Sequence, residues 1–176
     1  MPYVDPQTVN NPTAGAVAPA AWGDAVRDAV QFLANPPKVR VYNSASISHV
    51  TSGTSQALTF NSERYDTDTM HSTSVNTGRI TFTTAGTYSL FANVEFASNA
   101  TGYRALEIRL GGATIIASQV AQTNATQVTI MTIYTEYAFT AGQYVEIMVN
   151  QTSGAALNIN AGANYSPEAG ARWVSL

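Results

Sequence analysis

Short runs of alternating apolar and polar residues fill the chain from residue 38 onward, and turn residues separate them. The segment TYSLFANVEFA shows the pattern most clearly, because every second residue from Tyr88 to Phe96 is apolar. Alternation of this kind is typical of a strand with one buried face. The pair Gly111-Gly112 lies between two further runs and predicts a tight hairpin turn. About nine or ten such strands predict an all-β, antiparallel jelly-roll sandwich over residues 38–176.

A different spacing occupies residues 19–34, PAAWGDAVRDAVQFLA, the one segment that predicts a helix. Pro19 suits a first helical turn, and Asn35-Pro36-Pro37 ends the helix because a residue before proline avoids the helical region. The apolar residues at helical spacing form one stripe: Trp22, Val26, Ala29, Val30 and Leu33. We expect this stripe to pack either on the sheet of the same chain or on other copies around a symmetry axis.

Residues 1–18 show neither the alternation of a strand nor the apolar spacing of a helix. Their prolines and the TAGA patch favour an extended or irregular arm, which is either disordered or bound to another molecule. The predicted organisation is therefore an attachment arm over residues 1–18, an amphipathic helix and Pro-Pro linker over 19–37, and a jelly-roll domain over 38–176.

The run TQVTIMTIYTEYAF, residues 126–139, is apolar on both faces. One face carries Val128, Ile130 and Tyr134. The other face carries Met131, Ile133, Tyr137 and Phe139. Since one face of a sandwich strand normally meets water, we expect the second set to form a surface that the helix or another subunit covers. The predicted trimer or partner interface is Trp22, Val26, Val30, Leu33, Met131, Ile133, Tyr137 and Phe139.

Composition narrows the functional classes. Charged residues make up 11% of the 176 residues, and the eight Lys and Arg leave a net charge of −3. No basic stripe exists to neutralise phosphates, so we expect no nucleic-acid partner. No apolar run approaches the roughly 20 residues of a membrane-spanning helix, so we expect no membrane partner. The start, MPYVDPQTV, lacks the basic and apolar regions of a signal peptide, which predicts synthesis in a cytoplasm without export by that route.

The stretch YDTDTMHS, residues 65–72, is the strongest candidate for chemistry. Asp66, Asp68 and His71 offer oxygen and nitrogen ligands for a divalent cation. Calcium normally takes six to eight oxygens, however, and aspartate and threonine in a loop also bond their own backbone. We therefore expect a structural loop, with a structural ion as the open alternative. No catalytic motif accompanies it, so we expect no enzyme, no catalytic residue and no cofactor.

The order of the strands resembles a known superfamily. The run FNSERYDTDTMHSTSVNTGRITFTTAGTYSLFANVEF is similar to the globular heads of complement-type and tumour-necrosis-factor-like jelly-roll proteins. RLGG, TAGQYVEIMV and GARWVSL resemble the hairpin, a later strand and the closing strand of that superfamily. The resemblance covers about residues 38–176. It implies a compact, non-catalytic homotrimer with the two-faced strands around the three-fold axis.

Three segments more specifically resemble small virion proteins of tailed bacteriophages: AWGDAVRDAVQFLANPP, YDTDTMHSTSVNTGRITF and NYSPEAGARWV. Proteins of this kind are described as minor tail or capsid-decorating proteins. The resemblance implies a homotrimeric decoration protein that stabilises the phage head. Such a protein would lie on the particle surface, and its N-terminal segment would hold it on the major capsid protein or on a tail protein.

The alternative is the receptor-binding head of a phage tail fibre or minor tail protein, which would recognise a host glycan or protein. Exposed Tyr and Asn side chains in loops suit that role, and Asn99, Tyr103 and Tyr165 are the candidates for a ligand rim. The loop of Tyr165, NYSPEAGARW, is also typical of a turn that enters the last strand.

Overall fold

The protein is described by a computed structural model over residues 14–123 and 127–176, with the side chain of His49 outside that description. Most of the predicted arm, residues 1–13, lies outside the described residues. The chain divides into two compact units, with the boundary between Pro37 and Lys38.

The described part of the first unit contains one helix, α1, from Ala20 to Ala34. Pro19 precedes it with the extended backbone of a non-helical residue, and the N–H of Asn35 still donates to the Gln31 carbonyl. The helix therefore begins one residue after the predicted start and ends where the Asn-Pro-Pro segment predicted.

The buried side chains of α1 are Ala29 and Phe32, whereas Val30 and Leu33 are 59% and 58% exposed. Each residue turns a helix by about 100°, so a side chain one position beyond a buried one faces away from it. Within the single chain, the buried face therefore uses Phe32 in place of Val30 and Leu33. The predicted role of the stripe at an interface with another molecule stays a prediction.

The second unit contains twelve strands among its described residues, and every pairing between them is antiparallel. They are β1 (Lys38–Tyr42), β2 (Ile47–Val50), β3 (Gln56–Ala57), β4 (Ser62–Asp66), β5 (Arg79–Thr81), β6 (Gly86–Phe96), β7 (Tyr103–Leu110), β8 (Thr114–Gln122), β9 (Thr129–Phe139), β10 (Tyr144–Gln151), β11 (Leu157–Ile159) and β12 (Glu168–Ser175). One seven-stranded sheet has the order β2-β11-β6-β12-β1-β4, with β9 also paired to β6. A five-stranded sheet has the order β3-β10-β7-β8, with β5 also paired to β10.

The core lies between the inward faces of these two sheets. Burial along β6 alternates from Tyr88 to Phe96, and the predicted apolar face is the buried one. Phe139 of β9 stacks on Phe82, with ring centroids 3.7 Å apart and planes within 10°. Tyr88 completes this aromatic group edge-on, 4.7 Å from Phe82. The predicted all-β jelly-roll sandwich with one short helix is confirmed.

The strand count is higher than predicted for two reasons. The first predicted strand, residues 38–48, is divided into β1 and β2, which pair with different neighbours in the seven-stranded sheet. A further strand, β4, was not predicted, and its last two residues, Tyr65 and Asp66, belong to the stretch that was expected to be a loop. The Gly111-Gly112 hairpin is confirmed: both residues have positive φ, 60° and 74°, as a two-residue turn of this kind requires.

Candidate functional site

The outward side of the seven-stranded sheet carries exposed apolar side chains. Ile130 and Tyr134 of β9 are 57% and 61% exposed. Tyr134 pairs with Phe91 of β6, and directly paired residues share a face of the sheet. Val174 of β12 is 48% exposed and lines the same shallow depression as Tyr134. We call these outward apolar side chains, Ile130 and Tyr134 along β9 and Val174 beside Tyr134, the outer apolar patch. Exposed apolar side chains on a sheet face can serve as an interaction surface.

The inward side of β9 holds the residues that the sequence analysis placed at the interface. Met131, Ile133 and Phe139 are buried inside the domain, with 1%, 7% and 3% exposure. Their prediction as a partner surface is therefore wrong, because their own domain already covers them. Tyr137 lies on the same side and is partly exposed. The apolar row that meets the outside is the opposite one, which contains Ile130 and Tyr134.

Polar groups surround the outer apolar patch. The Tyr134 hydroxyl donates a 2.9 Å hydrogen bond to Glu136 Oε1, and this bond raises the pKa of Tyr134 above its ordinary value. Ser89 and Arg172 line the depression next to Tyr134. An apolar centre with a polar, charged rim is the usual arrangement at a protein–protein contact.

A charged cluster occupies another part of the outward side, where β12, β1 and β4 lie side by side. The Glu168 side chain is fully buried, and its Oε1 accepts hydrogen bonds from Arg40 Nε and Arg64 Nε, both at 2.6 Å. Arg40 Nη2 also donates to Glu168 Oε2 at 2.9 Å. These hydrogen bonds raise the pKa of Arg40, although its burial acts in the opposite direction. Two guanidinium groups share one carboxylate, so the cluster carries one net positive charge.

A pocket of about 340 Å³ lies beside the cluster and is lined by Arg64 and Tyr165, among others. The Tyr165 hydroxyl donates to Glu95 Oε2 at 2.5 Å, and this bond raises the pKa of Tyr165. Of the three predicted rim residues, only Tyr165 lines this pocket. The ligand-rim role of Asn99, Tyr103 and Tyr165 stays a prediction.

Asn99 lies in the turn between β6 and β7 and Tyr103 is the first residue of β7, and a buried arginine holds the two together. Arg104 is fully buried, and its guanidinium donates to the carbonyls of Asn99, Thr101 and Tyr103 at 2.9–3.1 Å. Burial lowers the pKa of Arg104. Its Nε atom has no partner within the described part of the chain. Sequence reasoning missed this residue although it shares the buried side of β7 with Leu106, because arginine is seldom fully buried and the sequence does not show its carbonyl acceptors.

The helix residues of the predicted interface show graded exposure. Val30 and Leu33 are exposed, as described above, and Trp22 and Val26 are half-buried. The polar side of α1 carries an exposed ion pair between Arg27 and Asp24 at 2.7 Å. α1 thus has an exposed apolar edge beside its exposed polar side.

The YDTDTMHS stretch is a loop that bonds to itself. Asp66 Oδ1 accepts the N–H of Asp68 at 3.0 Å, and Asp66 Oδ2 accepts the N–H of His71 at 2.9 Å. Asp68 Oδ2 accepts the Thr83 hydroxyl, which also donates to the Asp68 carbonyl at 2.8 Å. Both carboxylates are therefore occupied in shaping the chain, as the expected structural loop requires.

His71 is buried at the base of the same loop. Its Nδ1 lies 2.8 Å from Glu63 Oε1, and its Nε2 lies 3.2 Å from the Thr77 carbonyl oxygen. The imidazole packs edge-on against Phe60, 6.4 Å between ring centroids. Both ring nitrogens face protein oxygens, so the ring connects β4 to the following loop.

Within residues 14–123 and 127–176, no three His, Cys, Asp or Glu side chains are arranged to hold a metal ion. In the same residues, no helix has the length and apolar character needed to cross a membrane.

Comparison with known proteins identifies the fold. Neither a protein-family model nor a curated protein sequence matches the chain. The globular domain of zebrafish complement 1qA protein matches with a TM-score of 0.55 at 15% identity, over 78% of this chain and 97% of that one. Murine APRIL matches with a TM-score of 0.60 at 8% identity, over 78% and 98% of the two chains. The chain therefore has the jelly-roll fold of complement C1q and tumour-necrosis-factor-like proteins, as the strand order predicted.

Proposed function

We propose that this protein is a non-catalytic structural protein of a tailed-phage particle, which works as a homotrimer of jelly-roll domains. The observation that carries self-association is the outer apolar patch, a set of exposed apolar side chains on the outward face of the seven-stranded sheet. Closed symmetric assemblies bury the same residues on every subunit, so these exposed apolar side chains would be covered in each copy.

The assignment to a phage particle is supported by the resemblance of three segments to small virion proteins. In this proposal residues 1–37 attach the trimer to the major capsid protein, or to a tail protein, and the jelly roll lies on the particle surface. The exposed apolar residues Val30 and Leu33 suit a helix that binds another protein. Three linked attachment segments would strengthen weak individual contacts through their high effective concentration.

Light scattering of the purified full chain tests the self-association. The expected mass is three times 18.6 kDa. The double variant Ile130→Lys, Tyr134→Lys places charges in the outer apolar patch and is expected to give a monomer with an unchanged circular dichroism spectrum. The matched control is Ile115→Lys, Val120→Lys, which places two charges at exposed apolar residues of β8 in the other sheet and is expected to leave the trimer intact. A wild-type chain that is monomeric at every concentration would overturn the trimer.

Particle composition tests the virion role separately. Mass spectrometry of purified phage particles is expected to find the chain. A truncated chain that lacks residues 1–18 is expected to fold and to remain a trimer in solution, but to be absent from particles. Normal incorporation of the truncated chain would overturn the attachment role of the arm.

The second candidate function is a receptor-binding head, and the pocket that contains Tyr165 and Arg64 favours it. Copy number separates the two: a decoration protein is expected in hundreds of copies per particle, and a fibre head in only a few. Antibody labelling of intact particles distinguishes these outcomes and also shows whether the chain lies on the head or on the tail.

A further inference from the structure

The pocket beside the charged cluster has the features of a ligand site rather than of a packing defect. Its volume of about 340 Å³ falls at the small end of the range for small-molecule sites. Its walls include two aromatic rings, Tyr42 and Tyr165, one guanidinium, Arg64, and the hydroxyl-bearing Ser44. A few polar groups among aromatic walls is the usual composition of such a site.

The guanidinium of Arg64 is held in place yet keeps donors free. Its Nε donates to the buried Glu168 at 2.6 Å, and its plane lies 4.6 Å from the ring centroid of Tyr42. Nη2 makes only a long contact of 3.4 Å with the Ala163 carbonyl, and Nη1 has no partner among the described residues. Arginine offers five N–H donors, so most of the fork remains for a ligand. A fixed donor group binds with less loss of conformational entropy than a mobile one.

The free donors of Arg64 favour an anion. Glu168 offsets one of the two guanidinium charges and Glu95, which accepts the Tyr165 hydroxyl, offsets the other, so the attraction comes from the unused N–H groups of Arg64 and not from a net charge. The other carboxylate nearby, Glu95, does not line the pocket. Its two oxygens accept hydrogen bonds from Asn160 Nδ2 at 2.8 Å and from Tyr165. A carboxylate suits this site better than a phosphodiester, which proteins bind through several basic groups.

The aromatic walls indicate a ring-shaped ligand. The Tyr165 ring packs directly on Gly162, where an added methyl group would lie 2.5 Å from Tyr165 Cζ. The hydroxyl of the same ring is anchored on Glu95, so the ring is fixed at both ends while 43% of the residue stays exposed. Fixed, exposed tyrosine faces pack well against the C–H faces of sugar rings, whose hydroxyls suit the neighbouring polar groups.

We propose that this pocket binds a carboxylate-bearing sugar, such as a hexuronic acid, with the carboxylate on Arg64 and the sugar ring against Tyr165. Each pocket is built within one jelly-roll domain, so the inference does not depend on self-association or on the phage assignment. Loss of sugar binding with an intact trimer would overturn this inference alone.

Ligand-observed NMR titration of the full chain tests the proposal with three matched compounds. Methyl β-glucuronide carries both the ring and the carboxylate, methyl β-glucoside carries only the ring, and acetate carries only the carboxylate. We expect a millimolar Kd for the glucuronide and affinities weaker by about tenfold or more for the other two. Equal affinity for the glucoside would overturn the role of Arg64, and equal affinity for acetate would overturn the role of the sugar ring.

Three variants locate the binding. Arg64→Gln removes the guanidinium, and Ala163→Glu places a competing carboxylate beside it without touching the Arg40–Glu168 pair. Both are expected to weaken glucuronide binding by about tenfold or more. The control Arg79→Gln removes a guanidinium that also lies over a tyrosine, 4.1 Å from the Tyr144 ring centroid, but outside this pocket. The Arg79→Gln variant is expected to bind the glucuronide with the affinity of the wild type.

The Ala163→Glu variant keeps the test decisive if Arg64→Gln does not fold, because residue 163 is exposed. A folded Ala163→Glu protein that binds the glucuronide as tightly as the wild type would overturn the proposed site. No glucuronide binding by the wild-type chain at millimolar concentrations would overturn it as well.

Discussion

The two sides of β9 carry apolar residues with opposite surroundings. On the inward side, Met131 and Ile133 are buried against the core. On the outward side, Ile130 and Tyr134 are more than half exposed, although they belong to the same strand and are comparably apolar. Hydrophobicity along the strand therefore does not decide which residues enter the core.

The pairing of β9 with β6 determines which side of β9 is buried. In the antiparallel register between β9 and β6, Ile133 pairs with Ala92 and Met131 pairs with Val94, both of which are fully buried. Because paired residues share a face, the buried row of β6 carries the matching row of β9 inward. A shift of one residue would exchange the two rows. A strand that is apolar on both sides thus takes its orientation from a partner whose alternation is unambiguous.

The largest expected effect concerns the inward side. Phe139→Ala removes a ring that stacks on Phe82 in the core, and it is expected to lower the free energy of unfolding by about 3–5 kcal/mol. Urea titration at neutral pH measures this change. The outward control, Tyr134→Ala, is expected to leave the stability of the isolated subunit nearly unchanged, because this side chain is exposed. Equal losses from both variants would contradict the assignment of the two sides.

The next largest loss of stability is expected for the buried carboxylate of Glu168 on the outward side of the sheet. Glu168→Gln leaves Arg40 and Arg64 without their buried anion, while their partial exposure lets water compensate in part. We expect a loss of about 2 kcal/mol in the free energy of unfolding. The control is Glu146→Gln, which breaks the more exposed pair with Arg79 and is expected to cost about 0.5 kcal/mol. A loss no larger than the control's would mean that the cluster contributes little to stability.

A smaller effect is expected for the YDTDTMHS loop, at the end of β4. Asp66→Ala leaves the N–H groups of Asp68 and His71 without their acceptor and is expected to cost about 1–2 kcal/mol. Asp24→Ala, in the exposed ion pair of α1, is the control, and no measurable change in stability is expected.

A metal chelator separates the two interpretations of the same loop. Since hydrogen bonds already occupy both Asp66 oxygens, we expect the melting temperature of the wild-type protein to be the same with and without chelator. A melting temperature lowered by chelator and restored by calcium would establish a structural ion in place of the self-bonded loop.

The smallest effect, and the one that depends on pH, concerns a polar group on the inward side. Burial raises the pKa of Tyr88 above its ordinary value of 10.0, while its hydroxyl donates to the Thr84 carbonyl at 2.7 Å. Because the pKa of Tyr88 is higher in the folded state than in the unfolded state, its contribution to the stability of the folded protein is complete below pH 10.0. This contribution is lost as the pH rises from 10.0 towards the pKa of the folded state.

Tyr88→Phe tests this. The variant is expected to be about 1 kcal/mol less stable at neutral pH, because it lacks the hydrogen bond. As the pH rises above 10.0, the difference in unfolding free energy from the wild type is expected to shrink. Urea titrations of both proteins across that range measure it. Parallel curves would show that ionisation of Tyr88 is not linked to unfolding.

Local patterns predicted much of the fold. The alternation in β6 and β10, the glycine pair of the β7–β8 hairpin and the proline-bounded helix all depend on neighbours within a few residues. Each of these signals is short-range, since it reflects a side-chain period or a backbone preference. The order of the strands then indicated the jelly roll.

The candidate sites were less predictable because their residues are far apart in the sequence. Glu168 contacts arginines 128 and 104 positions away, and no local pattern links them. Arg104 lies on the buried side of β7 together with Leu106, and the three nearby backbone carbonyls that accept its hydrogen bonds are brought into place only when the end of the preceding turn folds. The pocket likewise combines residues of β1, β4 and the segment before β12.

The sequence by itself determined the all-β class, the helix limits, the hairpin and which side of β6 is buried, because these follow from side-chain periods and backbone preferences of adjacent residues. The tertiary structure alone decided which side of β9 is buried and which helix residues are exposed. It also decided where a positive charge meets an open pocket. Those outcomes depend on strand register and on contacts between residues far apart in the sequence. A strand or helix with more than one apolar side could bury either side, and its neighbours in the fold determine which one.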